Sequence, residues 1–299
     1  MKRAVLLLFL PFLVYGEENR LGLGIGFIQG KNNLSTQGSD YINSLGEPQD
    51  SFLKAFPLID LQLRLRRERS TYFIRSATEE QAPSIQVGVE RRDFIAQKTE
   101  FFVGVNPFRR VWKDPYLTGA EREETYQRDY EAGMRLTQGI TSLRIRALYS
   151  DVEEDDLGKR ASALRRDRFL TSVRYSISYP MSKEVRVTPS LNLDYSQAKG
   201  RASSYAGYTA GISGLYRNGL FLYDLNLSFG QDRYFKSDPI LREKRRENHY
   251  SLLFSLTRTK TFHPRAYIRG VAGYRITDAN IDFYDRRALI VGILSGYSW

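Results

Sequence analysis

From residue 21 to the last residue, apolar and polar side chains alternate at a period of two, in segments of about ten residues separated by turn-forming stretches. Leu21, Leu23, Ile25 and Phe27 share one face of the first predicted strand, and Ile59, Leu61, Leu63 and Leu65 share one face of the second, opposite Asp60, Gln62, Arg64 and Arg66. The third and fourth strands are predicted at Thr71 to Ala77 and Ser84 to Glu90, the next three at Lys98 to Asn106, Tyr126 to Thr137 and Leu143 to Tyr149. Phe169 to Tyr179, Val185 to Tyr195, Ser204 to Tyr216 and Leu220 to Gly230 follow, then His249 to Thr257, Arg265 to Arg275 and Ala288 to Trp299, which brings the count to fourteen.

The connections alternate in length. Long ones fall at Asn32 to Phe56, Phe108 to Thr125, Asp151 to Arg168 and Gln231 to Asn248, and short ones at Arg66 to Ser70, Gln138 to Thr141, Pro180 to Glu184 and Arg217 to Gly219. Strands that are apolar on one face and charged on the other, with long and short connections in turn, describe an antiparallel up-and-down transmembrane β-barrel with long outer loops and short periplasmic turns. Hydrocarbon cannot satisfy backbone N–H and C=O groups, so strands cross it only as a closed sheet. The expected barrel is monomeric, with fourteen strands favoured over twelve or sixteen. A soluble β-sandwich accounts for the alternation but not for the aromatic last strand, where Leu289, Val291, Ile293, Tyr297 and Trp299 share a face. Tyr297 and Trp299 are the expected signal for the outer-membrane assembly machinery, although phenylalanine is the usual final residue there.

The first residues add a destination. Lys2 and Arg3 precede an apolar run from Ala4 to Val14, and small Gly16 follows, the pattern of a secretory signal peptide over residues 1–16 with the mature chain starting at Glu17. That run is shorter than the roughly 20 residues a transmembrane helix needs. The barrel is therefore expected over residues 17–299, in the outer membrane of a Gram-negative bacterium. The chain contains no cysteine, which excludes a lipidated N-terminal Cys, disulfides and thiolate metal sites. The formal charge is +11, to which Lys2 and Arg3 contribute two. Arginines placed singly within alternating strands do not form a nucleic-acid-binding motif, so no nucleic-acid partner is expected.

Trp112-Lys113-Asp114-Pro115-Tyr116, followed by Thr118-Gly119 and Arg122-Glu123-Glu124-Thr125, resembles a segment of the Gram-negative outer-membrane family catalogued as domain of unknown function 2860. Asp278, Asn280-Ile281 and Phe283-Tyr284-Asp285 resemble that family's last outer loop, and Asn43-Ser44-Leu45 through Phe56-Pro57-Leu58 its first. The resemblance implies an outer-membrane barrel and carries over no catalytic residue.

The inner wall is the most informative surface. The alternation turns Arg64, Arg66, Arg135, Arg144, Arg146, Arg174, Arg186 and Arg269 inward, with Asp60, Glu131, Asp194 and Asp224 among fewer acids. A cationic excess along a water-filled wall favours small anionic solutes, which makes a porin-like diffusion channel the leading expectation. An arginine–carboxylate network that fills a closed barrel fits the same residues. In that case the outer loops would be the working surface, meeting a partner or lipopolysaccharide phosphates through Arg109, Arg110, Lys244, Arg245 and Arg246. A hydrolase is the third reading. Of the two histidines, His263 falls in a periplasmic turn, while His249 and Ser251 alternate with Tyr250 and Leu252 and so face the lumen, away from a lipid substrate. The acidic run Asp151, Glu153, Glu154, Asp155 and Asp156 reads as a solvated loop without calcium-loop spacing. Gly207, Gly211 and Gly214 are followed by no helix and permit strand curvature instead of binding phosphate. No catalytic residue, metal site or cofactor is expected, and the surrounding partners are outer-membrane lipid and lipopolysaccharide.

Overall fold

The computed structural model describes residues 19–79 and 82–299; the expected signal peptide and the start at Glu17 lie outside them. The alternating segments form β1 (Arg20–Lys31), β2 (Ser51–Arg67), β3 (Ser70–Glu79), β4 (Ala82–Arg92), β5 (Lys98–Trp112), β6 (Glu124–Gln138) and β7 (Thr141–Val152). They continue as β8 (Arg168–Ile177), the two-residue β9 (Tyr179–Pro180), β10 (Val185–Ala198), β11 (Tyr205–Asn218), β12 (Phe221–Tyr234), β13 (Arg246–Thr259), β14 (Ala266–Ala279) and β15 (Arg286–Ser298). Every neighbouring pair is antiparallel, and β1 closes on β15 from Arg20↔Ser298 to Lys31↔Arg287. The result is a closed barrel of fourteen full strands, with β9 a short resumption of β8 against β10 after Ser178.

The lipid-facing rows are those expected. Leu21, Leu23, Ile25 and Phe27 are exposed on β1, and so are Leu289, Val291 and Ile293 on β15, because here the solvent for apolar side chains is lipid. No helix is long and apolar enough to cross a membrane among the described residues. The strands outrun the expected bounds toward the outer side. β5 continues past Asn106 to Trp112 through a register shift between Asn106 and Arg109, and that shift breaks the period-two signal that marked the segment.

The long loops gather at one end. Asn19 and Trp299 meet at the other, where Asn19 N–H donates to the Trp299 carbonyl at 3.0 Å. In outer-membrane barrels the end with short turns is the periplasmic one.

The inner wall is not uniformly polar. Phe56, Leu58, Tyr267, Val271, Ile290 and Leu294 form an apolar cluster inside the sector β14–β15–β1–β2. It exists because β15 is apolar on both faces. Tyr267 lies flat across its neighbours, over Gly296 and Gly22, where an added Cβ would sit 2.4 and 2.5 Å from the ring oxygen. Only glycine permits so close an approach. Substituting either glycine with valine should lower the urea midpoint of the folded barrel in lipid vesicles, whereas Gly214→Val, with nothing within 4 Å of its Cβ position, should not.

Candidate functional site: a charged inner wall beneath a folded roof

Around the inner wall, cross-strand register sorts charge into rows. One row runs Thr71, Glu90, Glu100, Arg135, Arg144, Arg174, Asn192, one residue per strand from β3 to β10. Three arginines therefore stand side by side on β6, β7 and β8. Directly opposed residues have Cα atoms roughly 5 Å apart, and like charges at that spacing repel. Arg144 is buried, its guanidinium 4.7 Å from the Phe102 ring centre.

The acids of the wall are shared. Asp60 takes Arg20 at 2.8 Å and Arg269 at 2.9 Å, and Tyr267 donates to it at 3.1 Å. Glu90 holds Arg64 at 2.7 Å and Lys98 at 2.8 Å; Glu100 holds Arg75 at 2.8 Å. Glu131 lies 3.8 Å from Arg146 and accepts hydrogen bonds from Ser84 and Gln86. On the opposite wall Asp194 accepts from Asn192, and Asp224 is bonded to Asn226; both acids are half-buried. Arg186 is half-buried on β10, and Arg66 is exposed at the periplasmic rim.

Above this wall the outer loops form a second apolar core, made of Ile42, Tyr116, Leu157, Leu164, Ala202, Ile281, Phe283 and Tyr284. β5 and β13 stand seven strand positions apart in a ring of fourteen, on opposite sides of the barrel. Nevertheless Tyr116, in the loop after β5, donates its hydroxyl to Asp238, in the loop before β13, at 2.6 Å. Tyr284 donates to the same carboxylate oxygen at 2.8 Å, and the Tyr116 and Phe283 rings lie 4.9 Å apart. The loops thus cross the mouth and roof it. The first loop joins them: Ile42 enters the core, Tyr41 bridges Glu121, and Arg122 reaches the carbonyls of Asn33, Pro115 and Ser39 while its guanidinium covers the Trp112 ring at 4.5 Å.

The acidic run expected to be a solvated loop is partly structural. Asp155 caps the short helix α1 (Asp156–Arg160) by accepting from Gly158 N–H, and holds Arg166 at 2.8 Å. Arg166 in turn donates to the Trp112 and Lys113 carbonyls. Burial alone would raise the Asp167 carboxyl, but hydrogen bonds from Lys199 and from Val152 N–H hold it below the ordinary aspartate range. Burial pushes the Tyr284 hydroxyl up.

The five basic residues proposed to meet lipopolysaccharide come from two separate strands and the loop before one of them. Arg109 and Arg110 lie on β5, whereas Arg246 opens β13, seven strand positions away, and Lys244 and Arg245 belong to the loop before it. Arg245 is built into the roof instead, 3.5 and 3.9 Å from the Tyr234 and Tyr284 ring centres.

One grouping escaped the sequence reading. His249, Asp232 and Glu247 bring three potential metal-ligating atoms within 4.8 Å of one another beneath the roof. Glu247 is also held by Arg286 at 2.8 Å and lies 3.5 Å from Arg245, which offsets the negative charge a cation would need. Both His249 ring nitrogens are engaged, Nδ1 with Thr277 at 3.2 Å and Nε2 with Asp232 at 3.0 Å, so neither is turned to Ser251. The signal would have been the register that pairs Gly230 with His249, which sets Asp232 and Glu247 opposite each other one inward position further on.

The sequence matches the family described as a protein of unknown function, DUF2860, over residues 16–298. The chain belongs to that family. No curated protein matches it at a significant level. Among solved structures it is similar to a FadL homologue of Pseudomonas aeruginosa, with 10% identity over 94% of this chain and 90% of that one and a TM-score of 0.53. It also resembles the monoaromatic hydrocarbon channel CymD, with 11% identity over 95% and 89% of the two chains and a TM-score of 0.49. At such identity the likeness shows the fold, an outer-membrane β-barrel. The DUF2860 segments noted in the sequence acquire a spatial meaning here: Tyr116 of one and Ile281, Phe283 and Tyr284 of another sit in the roof core, and Leu45 of the third packs against it.

Proposed function

We propose that this DUF2860 protein is a passive outer-membrane diffusion channel whose inner wall favours small anionic solutes and whose outer access is governed by the roof. The supporting observation is the in-register row Arg135, Arg144, Arg174. Three arginines in register on adjacent strands gather positive charge on one stretch of the wall, and the low-dielectric wall strengthens its field in the lumen. Sharing of Asp60 and of Glu90 between two cations each works in the same direction. On this reading the exposed or half-buried Arg64, Arg66, Arg186, Asp194 and Asp224 line the path, and the buried Arg146, Arg269, Asp60 and Glu131 stand behind them in the wall. Single-channel recording of the refolded mature protein under a salt gradient should give a reversal potential of anion-selective sign. Replacing Arg144 and Arg146 with glutamate should reduce or reverse it, with the barrel still heat-modifiable on a gel. Unchanged selectivity in that variant would sink the assignment.

The roof supports a second reading, a closed barrel that presents its folded loops to a partner such as lipopolysaccharide. A folded barrel that stays silent in the bilayer would favour it. In either case Tyr297 and Trp299, stacked 6.4 Å apart at the end of β15, are proposed to be read by the assembly machinery.

A further inference from the structure

The periplasmic end carries charge on the wrong face for a channel lining. On β2 the lipid-facing row runs Leu63, Leu65 and ends on Arg67; on β4 it runs Val87, Val89 and ends on Arg91. β3 lies between them, and its Ser70 is the cross-strand partner of both arginines. With partners roughly 5 Å apart at Cα, two arginine side chains can converge on one phosphate above the serine hydroxyl. One step toward the membrane centre, Leu65, Tyr72 and Val89 form the next in-register row, with Leu65 57% and Tyr72 51% exposed. Phe94, in the turn after β4, lies under Arg91, its ring centre 5.1 Å from the guanidinium. Arg66 and Arg92 at the strand ends and Arg69 in the β2–β3 turn add positive charge here, against Glu68 and Asp93 in the two turns.

A cation pair over a hydroxyl, backed by an apolar row leading into the hydrocarbon, is the arrangement that an acidic phospholipid complements. We infer that Arg67, Ser70 and Arg91 form a headgroup site for an anionic phospholipid of the periplasmic leaflet, whose acyl chain runs along Leu65, Tyr72 and Val89. An acidic segment of a periplasmic protein would supply the negative charge but would have no use for the apolar row, and it would meet turn tips more readily than the sides of β2 and β4.

The test is native mass spectrometry of the refolded mature protein in micelles that contain equal amounts of phosphatidylglycerol and phosphatidylcholine. Each arginine near a membrane surface shifts anionic-lipid binding roughly fivefold, so the pair should give the wild type a ~25-fold preference for phosphatidylglycerol. Arg67→Gln with Arg91→Gln should abolish most of that preference, while Arg217→Gln, near the periplasmic end of β11, should leave it intact. Heat-modifiable migration verifies folding, and if the double variant does not fold, Arg91→Gln alone should lose roughly fivefold. Equal retention of the two lipids by the wild type overturns the inference, as does a folded double variant with the wild-type preference. Binding of polyglutamate in place of lipid would overturn it in favour of a protein partner.

Discussion

Replacing Asp60 with alanine should cost the barrel about 3–5 kcal/mol, because it leaves Arg20 and Arg269 charged, buried and without their shared carboxylate. Arg269 is only 1% exposed, so water cannot take over the lost role without opening the wall. Tyr267 loses its acceptor in the same step. The measurement is the urea midpoint of refolding and unfolding in lipid vesicles, followed by tryptophan fluorescence and heat-modifiable migration. Asp60→Asn should cost less, since the amide oxygen can still accept. Asp224→Ala, which removes a half-buried carboxylate bonded to Asn226, should cost less again. An Asp60→Ala midpoint equal to the wild type would show that the buried cluster contributes nothing to stability.

The second large effect is expected at the roof. Tyr116→Ala removes a ring packed against Phe283 and deletes one of two hydroxyls that donate to Asp238. Truncation of a buried aromatic typically costs about 3–5 kcal/mol, and here the loss is local to the loops because the strand ladders below are untouched. Trypsin added outside proteoliposomes should then cut at Lys113, Arg122 or Lys159 at least tenfold faster than in the wild type, a conservative bound for a local loss of that size. If the roof governs access, the mean open-channel current should rise in the same variant. Unchanged proteolysis would mean that the inter-loop core does not hold the loops together. Faster proteolysis with unchanged current would separate loop order from conduction.

The barrel was legible in the sequence because its two solvents are so different. Lipid selects Leu21, Leu23 and Ile25 on one face while the lumen selects Asp60, Arg64 and Glu131 on the other, and a period of two reports the contrast directly. The pattern fails where that contrast fails. On β15 both faces are apolar, so the inward Ile290 and Leu294 gave no sign of the cluster they join. At the Asn106–Arg109 shift the parity flips, and the outer third of β5 became invisible. The roof was hidden for a different reason. Ile42, Leu157, Leu164 and Ala202 come from separate loops and share no periodicity, so only their meeting in space makes them a core. The arginine row was half legible: alternation turned each residue inward, but register between strands, which sets Arg135, Arg144 and Arg174 side by side, is not written in any one of them.

Tyr267 belongs to β14 and Asp60 to β2, so their hydrogen bond and the neighbouring Arg269–Asp60 ion pair reach across the joint between the last strand and the first. Neither contact can exist in an open sheet. The pair is therefore a clasp that fastens only when the final strand finds the first, and the bare glycines beneath the tyrosine are the slot it slides into. Losing the clasp should show as a faster rate of release of that joint more than as a slower early stage of insertion.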